Sequence, residues 1–228
     1  MYPISRTFRY LFPELEEAAI FPQMKSNSVV QTEIKGELQR SSLLEQEKSL
    51  QHCTRCALYI GRTQLVFGEG NPNAKVCFIG GIPSDADNKS GKIFQGPAGE
   101  LLSKMIQAMG LAREDVYLCN ILKCRPPLGH QVCSAEIDTC QKFLRTQLQF
   151  IAPKFIIALG ETAAQTLIRT DNPLSALRGK KFSNIDDSGA TLFATHHPEE
   201  LLQDPNLKRT AWDDLKLAMQ SISLHGKA

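Results

Sequence analysis

The chain has 228 residues, of which 42% are hydrophobic and 22% charged. Those values lie near ordinary globular proteins and away from collagenous, coiled-coil or wholly disordered chains. The 26 basic against 24 acidic residues leave a net charge of +2, which neither requires nor excludes nucleic acid, because local patches decide that. No apolar run reaches the ~18 residues of a membrane span, and the start lacks the apolar block of a secretory signal. A soluble, cytoplasmic, monomeric protein with no membrane partner is expected.

Residues 1–35 differ from the rest. Tyr2, Phe8, Tyr10, Phe12 and Phe21 stand beside an acidic cluster at Glu14, Glu16 and Glu17, marking a flexible or peripheral N-terminal extension ahead of one domain over 36–228. Leucines at 38, 43, 44 and 50 predict a helix over Glu37–Gln51 that leads into Cys53. Beyond it, short β-rich apolar runs at Lys75–Gly80, Val116–Asn120, Phe155–Leu159 and Thr191–Thr195 each fit a strand buried on both faces. Helical patterns at Ala98–Met109, Ser134–Phe150 and Glu161–Ile168 lie between them, and Arg209–Ser223 closes the chain. Alternating strands and helices imply a three-layer α/β sandwich, a mostly parallel four-stranded sheet with helices on both faces.

In such a sheet ligands bind outside the carboxyl ends of the strands. The unusual segments fall there: Gly80-Gly81-Ile82-Pro83-Ser84, Asn120 through Pro127, Gly160-Glu161-Thr162 and His196-His197-Pro198. No G-x-x-x-x-G-K-[ST] loop for cradling phosphates is present.

Seven cysteines without an export signal point to metal or catalysis rather than a disulfide framework. Cys53-Thr54-Arg55-Cys56 is a close pair, whereas Cys124 and Cys140 are far apart in sequence. Four thiolates suit zinc or an iron–sulfur cluster equally. Cys77 and Cys119 fall inside strands and read as buried residues. Cys133 is an alternative to Cys140 as a ligand.

These cysteines do not stand alone. Val66–Asn73 (VFGEGNPN), Gly91–Leu102 (GKIFQGPAGELL), Asn120–Pro127 (NILKCRPP) and His197–Leu202 (HPEELL) follow the C-T-R-C pair in order. Together they resemble the family 4 uracil-DNA glycosylases over roughly residues 40 to 222.

The resemblance implies hydrolysis of the N-glycosidic bond of uracil in DNA, single- or double-stranded, leaving an abasic site for base-excision repair. It implies a 4Fe-4S cluster on Cys53, Cys56, Cys124 and Cys140, structural rather than redox-active. Phe94 matches the aromatic on which the extruded base stacks, as base flipping requires. Asn120 matches the amide that reads the donor and acceptor of uracil's edge. His197 matches the histidine facing uracil O2, where it steadies negative charge as the bond breaks. Gly81, Ile82 and Pro83 belong to the first motif beside the substrate. There the sequence departs: the family has a glutamate where Gly81 stands, and a glycine where Ser84 stands. The missing carboxylate's role then falls to Asp87 first, to Asp85, or to backbone groups. The alternative function is a weakened member that binds uracil-containing or single-stranded DNA without turnover. Lys123, Arg125, Arg178, Lys180, Lys181, Lys208 and Arg209 are candidates for phosphate contacts.

Overall fold

The computed structural model describes residues 28–183 and 189–225, with side chains over 36–183 and 189–223; the expectation for residues 1–35 falls outside the described side chains. Helix α1 (Ser28–Leu50) begins earlier than its leucine pattern indicates. The strands are β1 (Glu69–Gly70), β2 (Val76–Gly80), β3 (Tyr117–Asn120), β4 (Phe155–Leu159), β5 (Lys181–Phe182) and β6 (Thr191–Thr195). The helices after α1 are α2 (Asp85–Ser90), α3 (Gly96–Ala108), α4 (Ser134–Ile151), α5 (Glu161–Ile168), α6 (Leu174–Leu177), α7 (Pro198–Gln203) and α8 (Leu207–His225).

The sheet has six strands in the order β1-β3-β2-β4-β6-β5, not four. The four predicted strands form its parallel centre. The additional β1 and β5 pair antiparallel at the two edges. Each has two residues, too few to show a period of two in sequence.

Side-chain alternation divides the core. Cys77, Ile79, Tyr117, Cys119, Ile156, Ala158, Leu192 and Ala194 face Leu43 and Leu50 of α1, Leu144 and Leu148 of α4, and Leu167 of α5. Val76, Phe78, Leu118, Ile157, Leu159 and Phe193 face Leu102 and Ile106 of α3, Leu201 of α7 and Leu215 of α8. Helices cover both faces, so each central strand carries a buried apolar run, as parallel strands must.

This division locates a crevice. The segment after β2 leads to α3 on one face, while that after β4 leads to α5 on the other. Adjacent strands whose connections part to opposite faces open a gap at their carboxyl ends. Gly81 sits at that gap, and a Cβ placed on it would meet the Thr162 Cβ of α5 at 3.0 Å.

One buried ion pair fastens α8 beneath the sheet. Arg178, after α6, donates to both Asp214 oxygens at 3.1 Å and to the Thr210 carbonyl at 2.6 Å. The Asp214 side chain is 2% exposed. Removing one member of such a pair strands the other, at ~3 kcal/mol or more. Asp214→Ala is therefore expected to cost about 3 kcal/mol in urea unfolding, and a loss under about 0.5 kcal/mol, the ordinary surface effect, would contradict the pair's role.

Candidate active site and cysteine centre

The register of β2 against β3 sets Gly80 opposite Asn120 at the ends of both strands. Asn120 is 1% exposed, and neither its Nδ2 nor its Oδ1 has a hydrogen-bond partner. Leaving a buried amide unpaired costs about 1–3 kcal/mol for each group, so such an amide is a vacancy suited to an incoming donor and acceptor. Gly80 keeps it open: a Cβ there would lie 2.3 Å from Asn120 Oδ1 and 3.0 Å from Phe94 Cζ.

Phe94 reaches this point through an unusual backbone. Its φ is 51°, a left-handed conformation that costs a non-glycine residue about 1–3 kcal/mol. The strain is held by packing at its carbonyl. Gly99 in α3 comes so close that a Cβ would fall 1.6 Å from the Phe94 oxygen. Across the cleft, the rings of Phe94 and His197 have centroids 5.9 Å apart at 35°.

His197 caps α7, and its Nδ1 accepts a hydrogen bond from the Glu199 backbone N–H at 3.2 Å. An Nδ1 that accepts leaves the neutral ring's proton on Nε2. Burial holds the His197 pKa below its usual 6.5, against the opposing pull of Glu199, Glu200 and Asp87. The side chain is thus a neutral donor at neutral pH. Its neighbour His196 contacts Glu200 at 3.2 Å.

Phe94, His197, Asp87, Ile82, Gln95, Glu199 and Leu202 are among the residues lining a cavity of about 310 Å³, in the ~300–1,000 Å³ range of small-molecule sites. Asp87 is 2% exposed and heavily engaged. One carboxylate oxygen accepts from the Ser84 N–H at 3.0 Å, the other from the Gln95 N–H at 2.7 Å. It closes a capping box with Ser84 on α2 and ties the β2 loop to the strained Phe94 turn. Asp85, the other acid considered, is exposed and pairs with Arg125 at 3.1 Å. Beside Ile82, Gly81 abuts Thr162, and the Pro83 carbonyl accepts from Arg125 at 3.0 Å.

The second centre gathers the cysteines. Cys53, Cys56, Cys124 and Cys140 line one cavity with Leu50, Leu65, Tyr59 and Phe143. Cys133 is exposed, is absent from that lining and caps α4 with its backbone; its N–H donates to Glu136 at 3.0 Å. Burial raises the Cys56 and Cys124 thiols and pushes Cys140 up to about 11. Opposing donors are in place. The Lys123 N–H reaches Cys140 Sγ at 3.3 Å, and Arg62 Nη1 reaches Cys124 Sγ at 3.5 Å. Among the described residues no three His, Cys, Asp or Glu side chains are gathered closely enough for a single metal ion. An all-thiol set around one apolar cavity, with N–H donors aimed at its sulfurs, fits a cluster.

Residues 67–216 match the Uracil DNA glycosylase superfamily. A type-4 uracil-DNA glycosylase of Thermotoga maritima is 35% identical over 82% of this chain and 98% of its own length. Another, of Archaeoglobus fulgidus, is 34% identical over 74% and 87%. A type-5 enzyme of Pyrobaculum aerophilum is more distant, at 28% over 58% and 64%. This chain belongs to the type-4 uracil-DNA glycosylase family.

Among the basic residues considered for this glycosylase's DNA face, Lys123 is a correction. It is 2% exposed and its Nζ donates to the Asn120 carbonyl at 2.8 Å, so it cannot reach a phosphate. Arg178 is a second correction, being spent on Asp214 and Thr210. Arg125 braces the first motif through Pro83 and Asp85. Lys180, Lys181, Lys208 and Arg209 are exposed, and Lys180 Nζ donates to the Ala176 carbonyl at 2.7 Å. Gly99 and Arg62 were not singled out from sequence, and Thr162 only as part of the Gly160-Glu161-Thr162 segment; for Gly99 the local signal is its place within Gly91–Leu102.

The Gly81–Thr162 contact makes the family's glutamate awkward in this chain. Gly81→Glu is expected to cost about 1–3 kcal/mol from overpacking, and at least about 0.5 kcal/mol less in a Thr162→Gly background. Equal costs in both backgrounds, measured by denaturant unfolding, would refute the steric account.

Proposed function

We propose that this protein excises uracil from DNA by hydrolysing the N-glycosidic bond, leaving an abasic site for base-excision repair. Family membership supports the reading, and one observation carries it: an unpartnered buried amide, an aromatic ring and a neutral imidazole N–H donor lie close together, Asn120 and Phe94 both bordering Gly80 and Phe94 facing His197. Uracil offers an N3–H donor and an O4 acceptor on one edge, which the Asn120 carbonyl and amino groups complement. Phe94 supplies the plane on which a base rotated out of the stack can rest. Such rotation is favoured in single-stranded or mispaired DNA, where less pairing is lost.

As the glycosidic bond lengthens, charge moves onto the base and the sugar becomes cationic. The His197 Nε2–H faces the oxygen where that negative charge collects, and a preorganised neutral donor of this kind contributes ~10²–10³ in rate. Asp87 lines the same cleft. With both oxygens already accepting backbone N–H groups, it positions the Ser84 and Gln95 segments and stabilises the sugar electrostatically. Water is the nucleophile.

The four cysteines hold a 4Fe-4S cluster in this reading. When bound, the cluster would tie the segments carrying Cys53, Cys56, Cys124 and Cys140 into one unit beside the active-site strands. Gly61 supports the same packing, since a Cβ there would lie 2.6 Å from the Pro127 nitrogen. Lys180, Lys181, Lys208 and Arg209 contact phosphates. The protein acts as a cytoplasmic monomer; no helix among the described residues is long and apolar enough to cross a membrane.

Incubation with a uracil-containing oligonucleotide, followed by hot alkali, is expected to give scission at uracil. An intact strand at high enzyme concentration would overturn the proposal. The histidine sets the pH dependence. Because burial lowers its pKa, His197 is neutral throughout pH 7 and takes a proton only below 6.5. Single-turnover activity should be level across neutral pH and fall below 6.5, where the ring must give up its bond from Glu199. The unfolded chain binds that proton more readily, so stability falls over the same acidic window. A decline in rate that begins above pH 7 would contradict the neutral-donor role.

A further inference from the structure

Lys123 is among the largest fully buried side chains of the molecule. Its Nζ has three N–H donors, of which one goes to the Asn120 carbonyl at 2.8 Å. The Phe67 ring lies 5.9 Å away. Among the described residues no carboxylate pairs with it; the ion pairs lie elsewhere. A buried ammonium without a counter-ion is strongly unfavourable, and a lysine beside aromatic and aliphatic carbon needs an anion to account for it.

The cysteine cavity would supply that anion with a cluster bound. Lys123 lines it, and its backbone N–H points at Cys140 Sγ at 3.3 Å. A cluster on four thiolates is a net anion enclosed in apolar walls.

We propose that Lys123 is the counter-charge of the cluster and, through the Asn120 carbonyl, the link that holds the base-reading strand end against it. The one side chain has two attachments. Its ammonium offsets the cluster's negative charge, and its N–H fixes the turn that follows β3, where Asn120 presents its amide. Lys123 is thus a positioning residue: it does not touch the base, and it makes the alignment of Asn120 depend on an occupied cysteine centre. The inference rests on the cluster assignment made under Proposed function, and the two can fail separately.

The test uses the full-length cluster-loaded protein with Lys123→Met, Lys123→Gln and the charge-preserving Lys123→Arg. Reduction potentials of such clusters respond to nearby charge and hydrogen bonding. Removing a positive charge makes addition of an electron harder, so the potential of the Met and Gln variants should move to more negative values, and that of the Arg variant should stay nearer wild type. Bleaching of the visible absorption by a chelator should be ~10-fold faster or more in the neutral variants, the usual scale for losing a supporting group around a metal centre. KM for uracil-containing DNA should rise with them. If Lys123→Met does not fold, the Gln and Arg variants make the same comparison. Potentials unchanged in the neutral variants, or faster bleaching in all three variants with no shift, would overturn the counter-charge. A wild-type protein without any visible absorption would instead overturn the cluster itself.

Discussion

The site depends on a register. Parallel pairing of β2 with β3 brings Gly80 level with Asn120, and the glycine's missing side chain leaves an amide buried with both polar atoms unsatisfied. Most of what surrounds it maintains that unfavourable arrangement. Gly99 admits the Phe94 carbonyl and so stabilises a left-handed residue, Asp87 fastens both sides of the first loop, and Lys123 grips the Asn120 carbonyl from below. Strained or unsatisfied groups persist when their surroundings over-determine them, and here the strain gathers where a base would bind.

The glycine at position 81 has a physical counterpart in the packing of this chain. Gly81 lies at the gap between β2 and β4, against Thr162. The residue is therefore part of a packing arrangement with α5. Asp87 serves as a helix cap and a loop clasp.

The central strands were legible because burial on both faces writes continuous apolar runs into the sequence. Edge strands of two residues leave no such trace. Helix α2 is absent from the sequence reading although Ser84 and Asp87 spell a capping box and Gly91 follows it, because Asp85 and Asp87 enter there only as candidate carboxylates. The gathering of Phe94 and His197 was legible through ordered motifs, but the Phe94 backbone conformation was not, since nothing local announces a positive φ in phenylalanine. Lys123 shows the limit most clearly. A lysine beside an arginine and two prolines reads as a phosphate contact, and only tertiary packing reveals that its charge points inward. Arg178 misleads similarly, because its partner Asp214 is 36 residues away.

The central claim is that Gly80 holds the Asn120 amide open for the base. Single-turnover excision of uracil by Gly80→Ala tests it most directly, with the variant's melting temperature measured alongside. The account predicts a rate lower by ~10²-fold or more, the scale of losing one preorganised polar contact, in a protein that still folds cooperatively. A folded Gly80→Ala protein that removes uracil at the wild-type rate would contradict it.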